Sequence, residues 1–315
     1  PGQMAPPCPS ATGPTQSTNK IVTNFYFKKY TKICLHFFTK RVIVCSVISV
    51  ACLPGGESGR AEPQPIRQGD GMTTIRLTVA QALVRYLTAQ KIRTRDGIKP
   101  LLGGVWAIFG HGNVAGLGEA LYAAREQLPT YRAHNEQGMA LAAAAYAKAN
   151  FRERLMAVTT SIGPGCTNLV TAAATAHVNR LPMLLLPGDI FVSRDPDPVL
   201  QQVEDFQDGG VSAVDCLRPV SRYFDRIVAP NQLLSALPRA IAVLTDPAQC
   251  GPVTLALPQD VQAMAADWPT TFFSERVLEP RQITPEAAQL AAATEILKSA
   301  RKPMIVCGGG VLYSA

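Results

Sequence analysis

Between residues 105 and 257 the sequence alternates short, wholly apolar runs with longer segments of helical spacing. Val105–Phe109, Leu155–Thr160, Pro182–Leu186 and Pro252–Leu257 read as strands, with Thr130–Ala133 a shorter one. Thr78–Ile92, Leu117–Leu128, Glu136–Asn150, Cys166–Val178 and Asn231–Leu244 read as helices. A strand that is apolar on both faces belongs in a parallel sheet covered by helices on each side. The expected fold class is therefore α/β, a doubly wound parallel sheet. In such sheets ligands bind beyond the carboxyl ends of the strands. The Gly-rich and polar clusters all sit there: Gly110–Gly116, His134–Gly138, Ser161–Asn168 and Gly188-Asp189.

The remainder of the chain divides around this core. Residues 1–71 are Pro/Gly/Ser/Thr-rich, then aromatic and basic, then apolar from Val42 to Leu53. They hold eight basic residues against three acidic ones, which leaves 22 against 20 for the rest of the chain. The net charge of +7 thus belongs mostly to this segment. It reads as a leader or as sequence ahead of a mis-set start at Met72; a targeting peptide or a genuine extension are the alternatives. The 12-residue apolar run is too short to span a bilayer, which needs roughly 20 residues. No membrane span and no basic stripe for nucleic acid is expected. Residues 72–262 read as one domain and 263–284 as a polar linker. Residues 285–315 read as the truncated start of a second α/β domain, with a helix over Pro285–Ala300 and a strand over Pro303–Cys307. The cysteines of the body, Cys166, Cys216, Cys250 and Cys307, are scattered singly and read as reduced; no Cys/His spacing suits a metal.

Three clusters carry candidate chemistry. Gly110-His111-Gly112-Asn113-Val114-Ala115-Gly116 resembles a dinucleotide-binding turn, but its glycine spacing departs from the common form and a ligand-free turn fits as well. Glu136 opens an Ala-rich helix, where the macrodipole stabilises a carboxylate and a capping acid is the plain alternative. The small residues of Gly138–Ala149 favour close approach of another surface over a solvated face. Gly163-Pro164-Gly165 forms a rigid turn whose backbone can lie against a flat ligand, and the helix after it offers free N–H groups.

Taken together, in this order, the chain resembles the thiamine-diphosphate enzymes related to acetolactate synthase and pyruvate oxidase. The Phe109–Val114 turn, His134–Gly138, Ser161–Asn168, Leu184–Asp189, Gly251–Gln262 and Arg301–Val311 carry the resemblance, which covers residues 72–315. Ile108–Leu117, Arg194–Glu204 and Leu217–Arg226 point, within the family, to its ring-opening hydrolases of inositol breakdown. The decarboxylating relatives usually have Pro-Gly-Gly where His111-Gly112-Asn113 stands, and commonly Gln where Asp189 stands.

The resemblance implies a pyrimidine-binding domain here, followed by a central and a diphosphate-binding domain. It implies thiamine diphosphate as cofactor, with Glu136 hydrogen-bonding its pyrimidine ring and so activating thiazolium C2. That carbon would attack a carbonyl of a cyclic 1,2-dione, a ring C–C bond would break, and water would release a linear deoxy-glucuronic acid. Gly163, Gly165 and Asn168 would line the pyrimidine pocket; Asp189, at a strand end, either reaches it or is a plain turn acid. His111 and Asn113 are candidates for holding the substrate, and His111 for moving protons; a satisfied His and a turn-stabilising Asn are the alternatives. In the family Mg²⁺ is held in the third domain by a Gly-Asp-Gly loop and a later Asn, and no such motif occurs in the body of this chain. No metal ligand is therefore expected here, and the chain alone is expected to be inactive with weak cofactor affinity. The family builds its site between subunits, which implies a homodimer or homotetramer. A cytoplasmic location follows, or a mitochondrial one if the leader is real. The rival readings are a carboligase or decarboxylase of the same family, a nicotinamide enzyme, and a truncated chain without catalysis.

Overall fold

The computed structural model describes residues 73–313 apart from 197, 204 and 206; the segment 1–71 and its competing readings lie outside the described residues. Strand β1 (Thr74–Thr78) runs into helix α1 (Val79–Thr88). Thr78 and Gln81 close a capping box: Gln81 N–H donates to Thr78 Oγ1 at 3.2 Å, and Thr78 N–H donates to Gln81 Oε1 at 3.0 Å. The antiparallel pair β2 (Gln90–Thr94) and β3 (Gly97–Pro100) follows, then β4 (Leu102–Ile108). A turn over Gly110–Asn113 and a π-helical turn over Val114–Gly118 lead into the short α2 (Glu119–Ala123). Next come β5 (Thr130–Tyr131), α3 (Glu136–Ala149), β6 (Leu155–Thr160), a helical turn Pro164–Thr167, α4 (Val170–Val178) and β7 (Met183–Asp189). A 3₁₀ segment, Ala213–Val220, precedes β8 (Tyr223–Arg226), α5 (Leu233–Thr245) and β9 (Pro252–Pro258). The chain continues through β10 (Ala265–Pro269) and β11 (Arg276–Leu278) to α6 (Ala287–Ser299).

Six strands form one parallel sheet in the order β5-β4-β6-β7-β9-β8. Successive side chains of a strand point to opposite faces, and here both faces are buried. Leu155 and Ala157 of β6 join one core cluster with α1 and α5, while Met156 and Val158 join the other with α3 and α4. Leu184 and Leu186 of β7 divide from Met183 and Leu185 in the same way. The result is the doubly wound sandwich expected from the apolar runs. On the second face α3 and α4 present Met139, Ala140, Ala143, Ala172, Ala173 and Ala176, all fully buried. Their small size is what lets these two helices lie close together over the sheet.

Several boundaries differ from the sequence expectations. The first helix ends at Thr88, and Gln90–Thr94 is a strand, because β2 finds partners on both sides: β3 antiparallel and β11 parallel. The segment expected to run helical from Leu117 to Leu128 is a π turn and one short helix, and Cys166–Val178 is broken at Asn168-Leu169. Residues expected to form a polar linker, 263–284, instead carry β10 and β11, paired to β1 and β2. Trp268 from this stretch is 1% exposed, donates its indole N–H to Leu77 O at 2.9 Å, and packs with Phe272 and Phe273 in the first core cluster. Polar spacing there reflects short edge strands with one wet face. In the last segment α6 forms, but Pro303–Cys307 is not a strand; it has no sheet partner among the described residues, and a lone strand leaves its backbone polar groups unpaired.

Candidate active site

Four strand ends converge at one edge of the parallel sheet, and the side chains there separate into a cleft and two buried networks. The cleft is built around Glu136. Asn135 stands in extended conformation before α3 and accepts Gly138 N–H on its side-chain oxygen at 2.6 Å, which fixes the helix start. Glu136 is therefore the first residue of α3, with its carboxylate beside the free N–H groups of the helix. Asn168 Nδ2 donates to Glu136 Oε2 at 2.9 Å. Glu136, Ser161, Pro164, Gly165, Thr167, Asn168 and Gln201 line a cleft of about 500 Å³.

The two glycines of the Gly163-Pro164-Gly165 turn are required for different reasons. Gly163 has φ of +62°, a region costly for other residues, and a Cβ there would overlap the carbonyl oxygen of Gln201. A Cβ at Gly165 would overlap Ser161 Oγ and lie 3.3 Å from Glu136 Oε1. The missing methyl thus keeps open the space in front of the second carboxylate oxygen. Glu136 Oε2 is taken by Asn168, and Oε1 faces that space. A flat ring with a hydrogen-bond donor on its edge fits this arrangement, so the residues present suit the pyrimidine end of thiamine diphosphate.

The first buried network accounts for Asn113. Asn113 is 0% exposed, and its Nδ2 donates to Thr159 Oγ1 at 2.6 Å and to the Thr160 carbonyl. Its Oδ1 accepts from Gln262 Nε2 at 3.1 Å. Gln262 Nε2 also meets the carbonyls of Gly112 and Leu257, each at 2.9 Å, and its Oε1 accepts Leu117 N–H at 3.1 Å. Every polar atom of Asn113 is thus spent on joining β4, β6 and β9. The turn's glycines serve the same packing: Gly112 is pressed against Ile162, and Gly116 against Gln262, at positions where a Cβ would stand 2.7 Å from the neighbouring atom. These glycines make room for side chains of the protein, which removes the basis of the dinucleotide reading. His111 is half-buried and its carbonyl accepts Ile162 N–H at 3.2 Å; its imidazole makes no hydrogen bond among the described residues and does not line the Glu136 cleft.

The second network holds Asp189, which is 2% exposed at the end of β7. Its Oδ1 accepts from Ser212 Oγ at 2.6 Å and Ile190 N–H at 2.9 Å; its Oδ2 accepts from Arg226 Nε at 2.6 Å. Arg226 Nη2 reaches Ser212 Oγ at 2.8 Å and Asp215 Oδ2 at 3.3 Å. Burial pushes the Asp189 carboxyl above its ordinary value despite Arg226 and the hydrogen bonds. Burial also pushes Asp215 up, but the Ser212 amide, Arg218 and Arg226 more than reverse it, so that carboxyl lies below its ordinary value. Asp189 is thus engaged with the protein's own groups and anchors the Ala213–Val220 segment; it is not among the residues lining the cleft.

Of the seven sequence candidates, the structure brings Glu136, Gly163, Gly165 and Asn168 together, puts Asn113 and Asp189 into separate supporting networks, and leaves His111 outside the residues that line the cleft. Ser161 and Thr167 of the cleft lie within the Ser161–Asn168 loop that the sequence marks, but no individual role is legible for them, nor for Gln201 of the cleft or Gln262, Ser212 and Arg226 of the networks. Among the described residues, no group of three or more His, Cys, Asp or Glu side chains could hold a metal ion, and no helix is long and apolar enough to cross a membrane.

Residues 77–208 match the family described as thiamine pyrophosphate enzyme, N-terminal TPP binding domain. The chain is 50% identical over 241 residues to the 3D-(3,5/4)-trihydroxycyclohexane-1,2-dione hydrolase of Lacticaseibacillus casei, covering 76% of this chain and 38% of that protein. The hydrolase of the same name from Geobacillus thermodenitrificans is 50% identical over 243 residues, and that from Bacillus anthracis 49%, each with 77% of this chain and 38% of the relative covered. The match therefore spans well under half the length of these relatives. Over residues 77–208 the chain carries the N-terminal TPP binding domain of the thiamine pyrophosphate enzymes.

Proposed function

We propose that the intact protein hydrolyses a ring C–C bond of 3D-(3,5/4)-trihydroxycyclohexane-1,2-dione, using thiamine diphosphate bound at the Glu136 cleft. The observation that carries this reading is the Glu136–Asn168 pair facing the Gly165 opening, in a chain half identical to hydrolases named for that dione. Bound thiamine diphosphate would supply the carbon nucleophile and the electron sink that C–C cleavage needs. The chain's own part is positional and electrostatic. Glu136 Oε1 would accept a hydrogen bond from the ring edge, and Asn168 would hold Oε2 so that the carboxylate cannot rotate away. Gly165 would let the ring approach without a side chain between them. The Asn113–Gln262 and Asp189–Arg226 networks would keep the strand ends that carry these residues in register.

His111, half-buried with a free imidazole after β4, is the candidate for handling the substrate or a proton. Mg²⁺ would accompany the diphosphate through residues other than those described. A homodimer or homotetramer is supported by the outer face of α3, where Leu141 is 39% exposed between the exposed Gly138 and Ala145 at helical spacing. A cytoplasmic location suits a small-molecule enzyme of this kind. The test is to give the intact protein, with thiamine diphosphate and Mg²⁺, either the cyclic dione or pyruvate. Consumption of the dione with ring opening is expected; turnover of pyruvate alone would overturn the reading in favour of a carboligase or decarboxylase.

A further inference from the structure

We propose that Gln201 is a specificity-determining residue of the Glu136 cleft, where its side-chain amide holds ring hydroxyl groups of a neutral, polyhydroxylated cyclic substrate. That role rests on the proposed function and names what the same cleft selects. Gln201 lines the cleft together with Glu136, Ser161, Thr167 and Asn168. The other amide and hydroxyl groups there each donate to the protein. Asn168 Nδ2 donates to Glu136 Oε2 at 2.9 Å, Thr167 Oγ1 to the Pro164 carbonyl at 3.1 Å, and Ser161 Oγ to the Ile162 carbonyl at 3.3 Å. Gln201 makes no hydrogen bond among the described residues, so its amide protons and its Oε1 are open to a ligand. It lies within Arg194–Glu204, one of the stretches that point to the ring-opening hydrolases.

The backbone holds Gln201 in this place. Gln202 N–H donates to Val199 O at 3.0 Å and Val199 N–H donates to Gln202 Oε1 at 3.0 Å, which braces a turn over residues 199–202. Gln201 is the third residue of that turn and has φ of +65°. Gly or Asn is the ordinary occupant of such a position, because a larger side chain is strained there. A glutamine kept at positive φ on the wall of a cleft is the kind of outlier that marks a functional site. Its carbonyl oxygen is seated on Gly163: a Cβ at Gly163 would overlap that oxygen, and Gln201 Cβ lies 3.7 Å from the same point. The side chain therefore leaves the backbone beside the Gly163-Pro164-Gly165 turn. An amide both donates and accepts, which matches a hydroxyl group, itself a donor and an acceptor. The polar side chains lining the cleft are hydroxyls, amides and the carboxylate of Glu136. They suit a neutral polyhydroxylated ring better than a 2-oxo acid, whose carboxylate the Glu136 charge repels. Gln201 is the group that tells ring hydroxyls from bare methylenes.

The experiment compares kcat/KM of the intact protein, with thiamine diphosphate and Mg²⁺, for the trihydroxylated dione and for unsubstituted cyclohexane-1,2-dione. Gln201→Gly removes the amide and suits the positive φ, so the variant is expected to unfold at or above the wild-type temperature. Its kcat/KM for the trihydroxylated dione is expected to fall on the order of 10-fold further than that for the unsubstituted one, chiefly through KM, the scale of lost hydrogen bonds to a substrate. Gln201→Asn, which tolerates the same φ and keeps a shorter amide, is expected to restore part of the preference. An equal loss on both diones in Gln201→Gly, the mark of a merely structural role, overturns the proposal, and so does an undiminished preference in that variant. In both cases wild-type ring opening leaves the proposed function standing. Wild-type protein that opens neither dione defeats the proposed function, and the role of Gln201 with it.

Discussion

Asn168 donates its side-chain amide to Glu136 Oε2 over 2.9 Å, across two motifs that lie 32 residues apart. One carboxylate oxygen is thereby fixed while the other faces the opening left by Gly165. Asn168→Ala should leave the fold intact, because the bond is exposed, but free the carboxylate to rotate. A hydrogen bond to a charged group is worth about 1.5–3 kcal/mol. Thiamine diphosphate affinity of the intact protein, measured by calorimetric titration, is expected to fall on the order of 10-fold or more.

Gly165→Ala places a methyl group against Ser161 Oγ and Glu136 Oε1. Overpacking of this kind costs about 1–3 kcal/mol. Urea unfolding should show that loss, and the double variant Ser161→Gly, Gly165→Ala should recover part of it. Failure of the second change to help would mean that the contact with Ser161 is not what excludes a side chain at 165.

Gln262→Ala removes the amide that joins Asn113, Gly112 and Leu257 to the Leu117 N–H. Leaving buried donors and acceptors unpaired costs about 1–3 kcal/mol each. The variant should be destabilised by several kcal/mol, with thermal unfolding as the readout, and Asn113→Ala should be strongly non-additive with it because the two share one network.

The two acids around Arg226 should respond to pH with opposite signs. Asp189 is raised above its ordinary 3.8 by burial, so the folded state binds its proton more tightly than the unfolded chain does. Its contribution is full below about pH 3.8 and is lost as pH rises through the folded value. Asp215 lies below 3.8, and its contribution is present above 3.8 and lost as pH falls through the folded value. Urea unfolding across an acidic pH series should therefore show the gap between wild type and Asp189→Asn shrinking as pH rises above 3.8. The gap between wild type and Asp215→Asn should instead shrink as pH falls below 3.8.

The parallel sheet and the cleft were legible because their signals are local. Strands buried on both faces write themselves as continuous apolar runs, and Gly163-Pro164-Gly165 and Asn135-Glu136 announce a turn and a helix start within a few residues. What stayed hidden depends on partners distant in sequence. Gln90–Thr94 continues a helical spacing, and only pairing with Arg276–Leu278, some 186 positions later, makes it a strand. Gln262 looks like a surface amide until it meets Gly112 and Asn113, 150 and 149 positions away. Asp189 stands at a strand end, where a ligand-binding acid would stand, but nothing near it in sequence reveals that Arg226 and Ser212 already occupy its carboxylate. The first turn left a ligand-binding and a ligand-free reading open for the same reason, since Ile162 and Gln262, which fill the space beside its glycines, are distant in sequence.

Turnover of the cyclic dione by the intact protein carrying Glu136→Gln tests whether the Glu136 carboxylate engages the cofactor. An amide keeps the size and the contact with Asn168 while removing the charge. Loss of a positioned acid–base group typically costs on the order of 100-fold or more in rate, and a fall of that size in ring opening, with the fold unchanged by circular dichroism, is the predicted result. Turnover within about twofold of wild type, well short of that typical loss, would contradict the claim and remove Glu136 from the reaction.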